Sequence, residues 1–152
     1  MIKTRDVTMK FLLVLILISI TSLQPTFAEQ KVTKGHLELH YNTFPSTFLD
    51  SKVATNYQIK RSKSRGIVSI TVIDTELTPA SAIEAAVTIE AQNILGQQKT
   101  IEIKTIKEND GSIYYLGLFR MNNEESINFK ISAKSSSNQA LSHTFTREFF
   151  TD

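Results

Sequence analysis

Three histidines, His36, His40 and His143, are the residues of this chain best suited to chemistry near neutral pH. His36 and His40 flank Glu38 in the alternating run His36-Leu37-Glu38-Leu39-His40-Tyr41. On a strand that run puts Leu37, Leu39 and Tyr41 on one face and the two histidines with Glu38 on the other. Four strand residues span roughly 13 Å, too far for the pair to share one ion without a third element. If the first and last strands are neighbours, His143 approaches one of them, and Glu38 completes a two-histidine Zn or Cu(II) site. The simpler expectation is three separate histidines on polar faces, with no metal and no cofactor. Met121 is the only methionine beyond the first 28 residues, so the soft-ligand clusters of copper handlers are missing.

A second constellation is Lys60-Arg61-Ser62-Lys63-Ser64-Arg65, four cations in six residues just before an apolar run. Guanidinium groups there could hold lipid phosphate or an acidic protein patch through bidentate contacts. The alternative is a solvated loop that keeps a strand edge from pairing with another molecule. In Tyr114-Tyr115 one ring faces inward and the other outward, and an exposed tyrosine is a common interface anchor. Phe44, Phe48 and Leu49 read as lids over the end of a sandwich. The expected binding residues are therefore Lys60, Arg61, Lys63, Arg65, Tyr41, Phe44 and Tyr114. Glu124 and Glu125, adjacent in a turn, read as solvated. No Gly-x-Ser-x-Gly, His-Glu-x-x-His, Gly-x-Gly-x-x-Gly or phosphate-loop pattern occurs. No catalytic residue is expected, and the chain reads as a non-enzyme.

The N-terminal segment gives these residues their compartment. Lys3, Arg5 and Lys10 precede the apolar run Phe11–Ile18, and Thr26-Phe27-Ala28 offers small residues where a signal peptidase reads. The expectation is a signal peptide over residues 1–28, cleaved after Ala28, with Met1 or Met9 as the start. The apolar run is about half the ~20 residues a spanning helix needs, so no integral membrane segment is expected after processing. No cysteine follows the cleavage point, which excludes a lipid-anchored lipoprotein. Residues 1–28 hold three cations and one anion, so of 17 cations and 15 anions 14 of each remain downstream. A balanced charge argues against nucleic acid as a partner. Without cysteine, packing and sheet hydrogen bonds must hold an exported domain together.

Residues 29–152 are sufficient for one domain with one core. Strand alternation recurs at residues 36–41, 67–73, 99–107, 112–120, 126–133 and 141–150. Asp110-Gly111 marks a hairpin between the third and fourth of these. Asp50 caps a short helix near residues 51–57. Residues 79–96 carry conflicting signals: Ser81 and Glu84 have capping-box spacing, whereas Ile83, Ala85, Val87, Ile89 and Ala91 alternate with polar residues. Nine residues of period two favour a strand, and a helix there would make the fold α+β. Seven short, evenly spaced strands imply an all-β, immunoglobulin-like antiparallel sandwich.

The runs His40–Leu49, Ile59–Gly66, Asn93–Gln97, Ile113–Leu116 and Phe145–Asp152 resemble a family of small exported proteins of Gram-negative bacteria, described only as a domain of unknown function. The resemblance covers essentially all of residues 29–152 and departs from the family at Pro45. It implies a periplasmic location and brings no catalytic or ligand residues. The resulting expectation is a non-catalytic periplasmic binding or accessory protein that contacts an unidentified envelope protein through the 41–49 and 60–65 segments. A small-ligand or metal-binding protein and an enzyme without a recognisable motif are the alternatives.

Overall fold

Nearly every alternating run becomes a strand, and the pairings sort them into two sheets. The computed structural model describes residues 30–151, so the expected signal peptide lies outside the described residues. The elements are β1 (Gln30–Lys34), β2 (Leu37–Pro45), a 3₁₀ turn (Ser46–Phe48), α1 (Ser51–Asn56), β3 (Arg65–Asp74), β4 (Ser81–Ala82), β5 (Ala85–Asn93), β6 (Glu102–Lys107), β7 (Ile113–Arg120), β8 (Glu125–Ser135) and β9 (Ala140–Phe149). One sheet has the order β1-β2-β3-β7-β6 with β4 paired to β3; the other has the order β5-β8-β9. All pairings are antiparallel. With β1 and β4 set aside, β2-β3-β7-β6 over β5-β8-β9 is the ABED-over-CFG order of a constant-type immunoglobulin sandwich.

Residues 85–93 form a strand, as their alternation predicts, with Ile89, Ala91 and Asn93 turned inward between exposed Glu90 and Gln92. Two strands go beyond the expected seven, β1 and the two-residue β4. The hairpin at Asp110-Gly111 forms, with the Ser112 amide donating to the Asp110 side chain and Gly111 at φ 88°. Its first strand starts at Glu102 rather than Lys99, because the Lys99 amide instead donates to the Ala91 carbonyl and closes the end of β5.

Between the sheets lie Leu37, Leu39, Val68, Ile70 and Val72 from one side and Ile127, Phe129, Ile131 and Leu141 from the other. Phe119 meets Phe129 and Phe149 edge-on at centroid distances of 5.2 and 5.3 Å. It lies so close to β3 that a Cβ on Gly66 would come within 2.2 Å of its ring. A second apolar cluster forms on the outer face of the larger sheet, where Ala54, Ile59, Ile67, Ile106, Leu116 and Leu118 are buried. Strand β3 is therefore covered on both faces, the environment its β-branched run predicts.

The cover over that outer face is the segment 46–64. Asp50 caps α1 by accepting from the amides of Lys52 at 2.8 Å and Val53 at 3.4 Å. Fully buried Ser46 closes the loop: its hydroxyl donates to the Ser62 carbonyl at 3.0 Å and accepts the Ser62 amide at 2.9 Å. The Tyr57 hydroxyl donates to Glu108, and Lys104 Nζ reaches the carbonyls of Tyr57 and Gln58 at 3.2 Å. Ser46→Ala leaves the Ser62 amide without its acceptor and is expected to cost about 1–3 kcal/mol. Chemical denaturation reads the loss, and a change below about 0.5 kcal/mol, typical of an uninvolved surface site, would show that the clasp carries no weight.

Candidate functional site

The histidines do not converge. His40 Nε2 lies 2.8 Å from Glu38 Oε2, on the outer face of the larger sheet. The Glu38 carboxyl is held below its ordinary value by Lys31, which donates to it at 2.8 Å, and then by His40. His36 faces Asp74 at 3.8 Å and Glu76 at 3.5 Å, one carboxylate for each ring nitrogen. These three are the one trio among the described residues able to bring a ligand atom each within 4.8 Å of one another. His143 is on the inner side of β9, where its Nε2 lies 2.7 Å from the Tyr41 hydroxyl. The alternative of a metal site built from His143 and Glu38 with His36 or His40 does not assemble: β2 and β9 belong to opposite sheets, so His143 faces the core and meets Tyr41 instead.

The expected binding residues also divide. Tyr41 is only 7% exposed and packs against Phe145 at a centroid distance of 4.6 Å with the rings tilted by 30°, so it belongs to the core and not to a surface. Burial also raises its phenol above the ordinary value. Arg61 is exposed, with its Nη2 donating to the Thr47 carbonyl at 2.8 Å. Lys60 and Lys63 are exposed, and Arg65 is half-buried at the start of β3. Tyr114 is 38% exposed, while Tyr115 is buried and its hydroxyl accepts the Ala85 amide at 2.8 Å. Tyr114 lines a separate cavity of about 440 Å³ with His40, Thr71 and Ile73.

What remains assembles at one end of the sandwich, where β2, β5, β7 and β9 finish and β3 and β8 begin. Phe44, Pro45, Phe48 and Leu49 face Arg147, Phe149 and Phe150 across a groove of about 560 Å³. Phe48 is 69% exposed and Phe150 60%, so Phe48 is no lid. Along one wall, the Thr43 amide is taken by the Asn42 side chain, and Pro45 has no amide to offer. Along the other, β9 is the last strand of its sheet and its outer edge has no strand partner among the described residues.

Two further features of this end were not read from the sequence. Arg65 and Arg120 stand directly opposite each other on β3 and β7. Among the described residues, no arginine forms an ion pair with an acid. Beside that pair is a buried polar knot. Glu125 Oε1 meets Lys99 Nζ at 2.5 Å, and its Oε2 accepts the Asn122 amide at 2.8 Å. Asn93 donates to Glu125 at 3.4 Å and accepts the amides of Leu95 and Gln97. Glu125 is therefore not the solvated turn acid that its neighbour suggests. The knot fixes the 93–97 turn, which presents Ile94 at 82% and Leu95 at 78% exposure.

Burial alone would push the Glu125 carboxyl up, but Lys99, the Asn122 amide and Asn93 together hold it below the ordinary 4.5. A carboxyl with a lowered folded-state pKa contributes stability above its unfolded value and loses it as pH falls through the folded one. Below pH 4.5 the wild type is therefore expected to lose stability more steeply than Glu125→Gln, and equal acid slopes in urea titrations would count against the knot. Facing like charges destabilise a strand pair, so Arg120→Glu is expected to raise stability by about 0.5–1 kcal/mol. A fall in its denaturation midpoint would mean that Arg120 already has a stabilising contact in the fold.

No curated protein matches the chain. Its fold is similar to the crystal structure of a DUF4426 family protein from Pseudomonas aeruginosa PAO1, at 31% identity and a TM-score of 0.72, covering 84% of this chain and 98% of that one. The GAE domain of GGA2p from Saccharomyces cerevisiae aligns at 10% identity and a TM-score of 0.38, over 82% of this chain and all of that one, a likeness too loose to carry an argument. The model of the family described as "Domain of unknown function (DUF4426)" matches residues 31–152, and the chain belongs to that family.

Proposed function

We propose that this chain is a non-catalytic binding or accessory protein of the cell envelope, exported to the periplasm by cleavage after Ala28 and acting through protein–protein contacts. The leader's charge and apolar pattern support the export, as does a family match that begins at residue 31, just past the cleavage point. The observation that carries the binding reading is the groove at the β2/β9 end, with Phe48 and Phe150 exposed beside it. Aromatic surface left in water is unfavourable, and a contiguous patch of it marks an interaction site.

The occupant that best fits is an extended segment of a partner protein. The edge of β9 offers amides and carbonyls that another strand satisfies, and its alternate apolar side chains would enter the groove. Arg147 on the groove wall would meet an acidic residue of that segment. The opposite wall, with its capped Thr43 amide and Pro45, offers side-chain surface but little backbone pairing.

Cross-linking a tagged chain in the periplasm is expected to enrich one reproducible protein partner. Phe48→Asp with Phe150→Asp should abolish that capture while leaving the melting temperature unchanged, because both rings already face water. Capture undiminished by the double variant would remove the groove from consideration, and no enrichment over an exported control would remove the protein partner.

A further inference from the structure

We infer that the end of the sandwich carrying Arg65, Arg120 and the Ile94-Leu95 turn seats the protein on an anionic lipid surface. This contact uses residues other than those of the groove and stands apart from the protein contact proposed above.

Charge complementarity carries the inference first. The four arginines beyond residue 28, Arg61, Arg65, Arg120 and Arg147, all belong to segments at this end. Lys60 and Lys63 join them in the 60–65 loop. Most lysines elsewhere have partners: Lys31, Lys104, Lys107 and Lys130 pair with glutamates, and Lys34 reaches the Ala140 carbonyl. The acids at this end are Glu102, Glu124, Glu125 and Glu148, with Asp50 capping α1. Glu125 is neutralised by Lys99, which leaves the local balance positive. Like charges on residues paired in register across two strands are unfavourable, and an anion above Arg65 and Arg120 would offset that.

The apolar tip supplies the second requirement. Ile94 and Leu95 are the two most exposed large apolar side chains among the described residues, and they sit at the crest of a turn rather than on a sheet face. Such a tip suits shallow insertion among acyl chains, with flanking cations at headgroup level. The two parts are held in fixed relation. Asn93 precedes the tip and bonds Glu125, Glu125 bonds the Asn122 amide, and the adjacent Met121 amide donates to Ser64 next to Arg65. One network thus joins the tip of one sheet to the backbone beside the arginine pair of the other. A soluble phosphate would use the arginines but has no use for Ile94 and Leu95. No helix of the described residues is long and apolar enough to cross a membrane, so the contact is peripheral.

Co-sedimentation of residues 29–152, which contain every element among the described residues, tests this with vesicles of phosphatidylethanolamine and phosphatidylglycerol. Vesicles of phosphatidylcholine alone serve as the uncharged control. The chain is expected to sediment with the anionic vesicles, stay in solution with the neutral ones and be released by high salt. Ile94→Asp with Leu95→Asp and, separately, Arg120→Glu should each weaken the binding at least tenfold, since each lost surface charge is worth roughly fivefold and Arg120→Glu changes two. Thermal melts confirm that both variants fold. The inference is overturned by equal binding to both vesicle types or by binding indifferent to either variant. Displacement by millimolar inorganic phosphate would overturn it too, by making this a small-anion site. Loss of protein capture in Arg120→Glu without any vesicle binding would likewise reassign this end to a protein interface.

Discussion

The reciprocal hydrogen bonds between Ser46 and Ser62 are the constraint on which the rest of the outer architecture depends. They close sixteen residues of chain into a cover, and only with that cover in place do Ile67, Leu116 and Leu118 leave water. A sheet with one dry face needs alternating residues; a sheet with two dry faces needs something folded across it. The same closure sets Phe48 and Leu49 beside the end of β9 and brings the 60–65 cations down to the start of β3. The lid thus joins the apolar groove and the basic loop, which lie far apart in sequence, at one end of the molecule.

The chain has no cysteine, and at that end a polar network fixes the turns. Glu125 and Asn93 are buried, and the contacts that offset their burial come from Lys99 and from the turns they organise. The exchange of water for fixed partners favours one arrangement of the 93–97 and 121–125 turns. Rigid turns can hold exposed side chains such as Ile94 and Leu95 outward, where a mobile loop would fold them back.

Much of the fold was legible because alternation has one meaning when a face is dry. Leu37, Leu39, Ile127, Phe129 and Ile131 all point where their period places them. Residues 85–93 resolved as a strand because a helix would have spread Ile89, Ala91 and their polar neighbours around its circumference. β1 was illegible, since Val32 is the only apolar residue in Gln30–Lys34. Site residues fared worse for a related reason. The period of β9 places His143 on a face without saying which, and sheet membership decided that it meets Tyr41. Nothing local separates Glu125 from Glu124, because the distinction is made by Lys99 and Asn93 from a distance. The opposition of Arg65 and Arg120 exists only in the register of β3 and β7. The Ile94-Leu95 pair, by contrast, was a readable signal: two large apolar residues in a turn that ends in Gly96.

The two apolar clusters also divide the molecule in time. The inter-sheet core is contributed by strands from both sheets and can come apart only if the whole sandwich does. The outer cluster is made by one short lid lying on a sheet that is already hydrogen-bonded beneath it. Lifting that lid breaks side-chain bonds and the Met121–Ser64 backbone bond but no strand pairing, so it costs less than separating the sheets. Backbone amides such as that of Ile59, bonded to Ala54 within the lid, would trade their protons for solvent deuterium long before those of β8. Two tiers of protection are therefore expected, with the segment carrying the basic loop in the faster one.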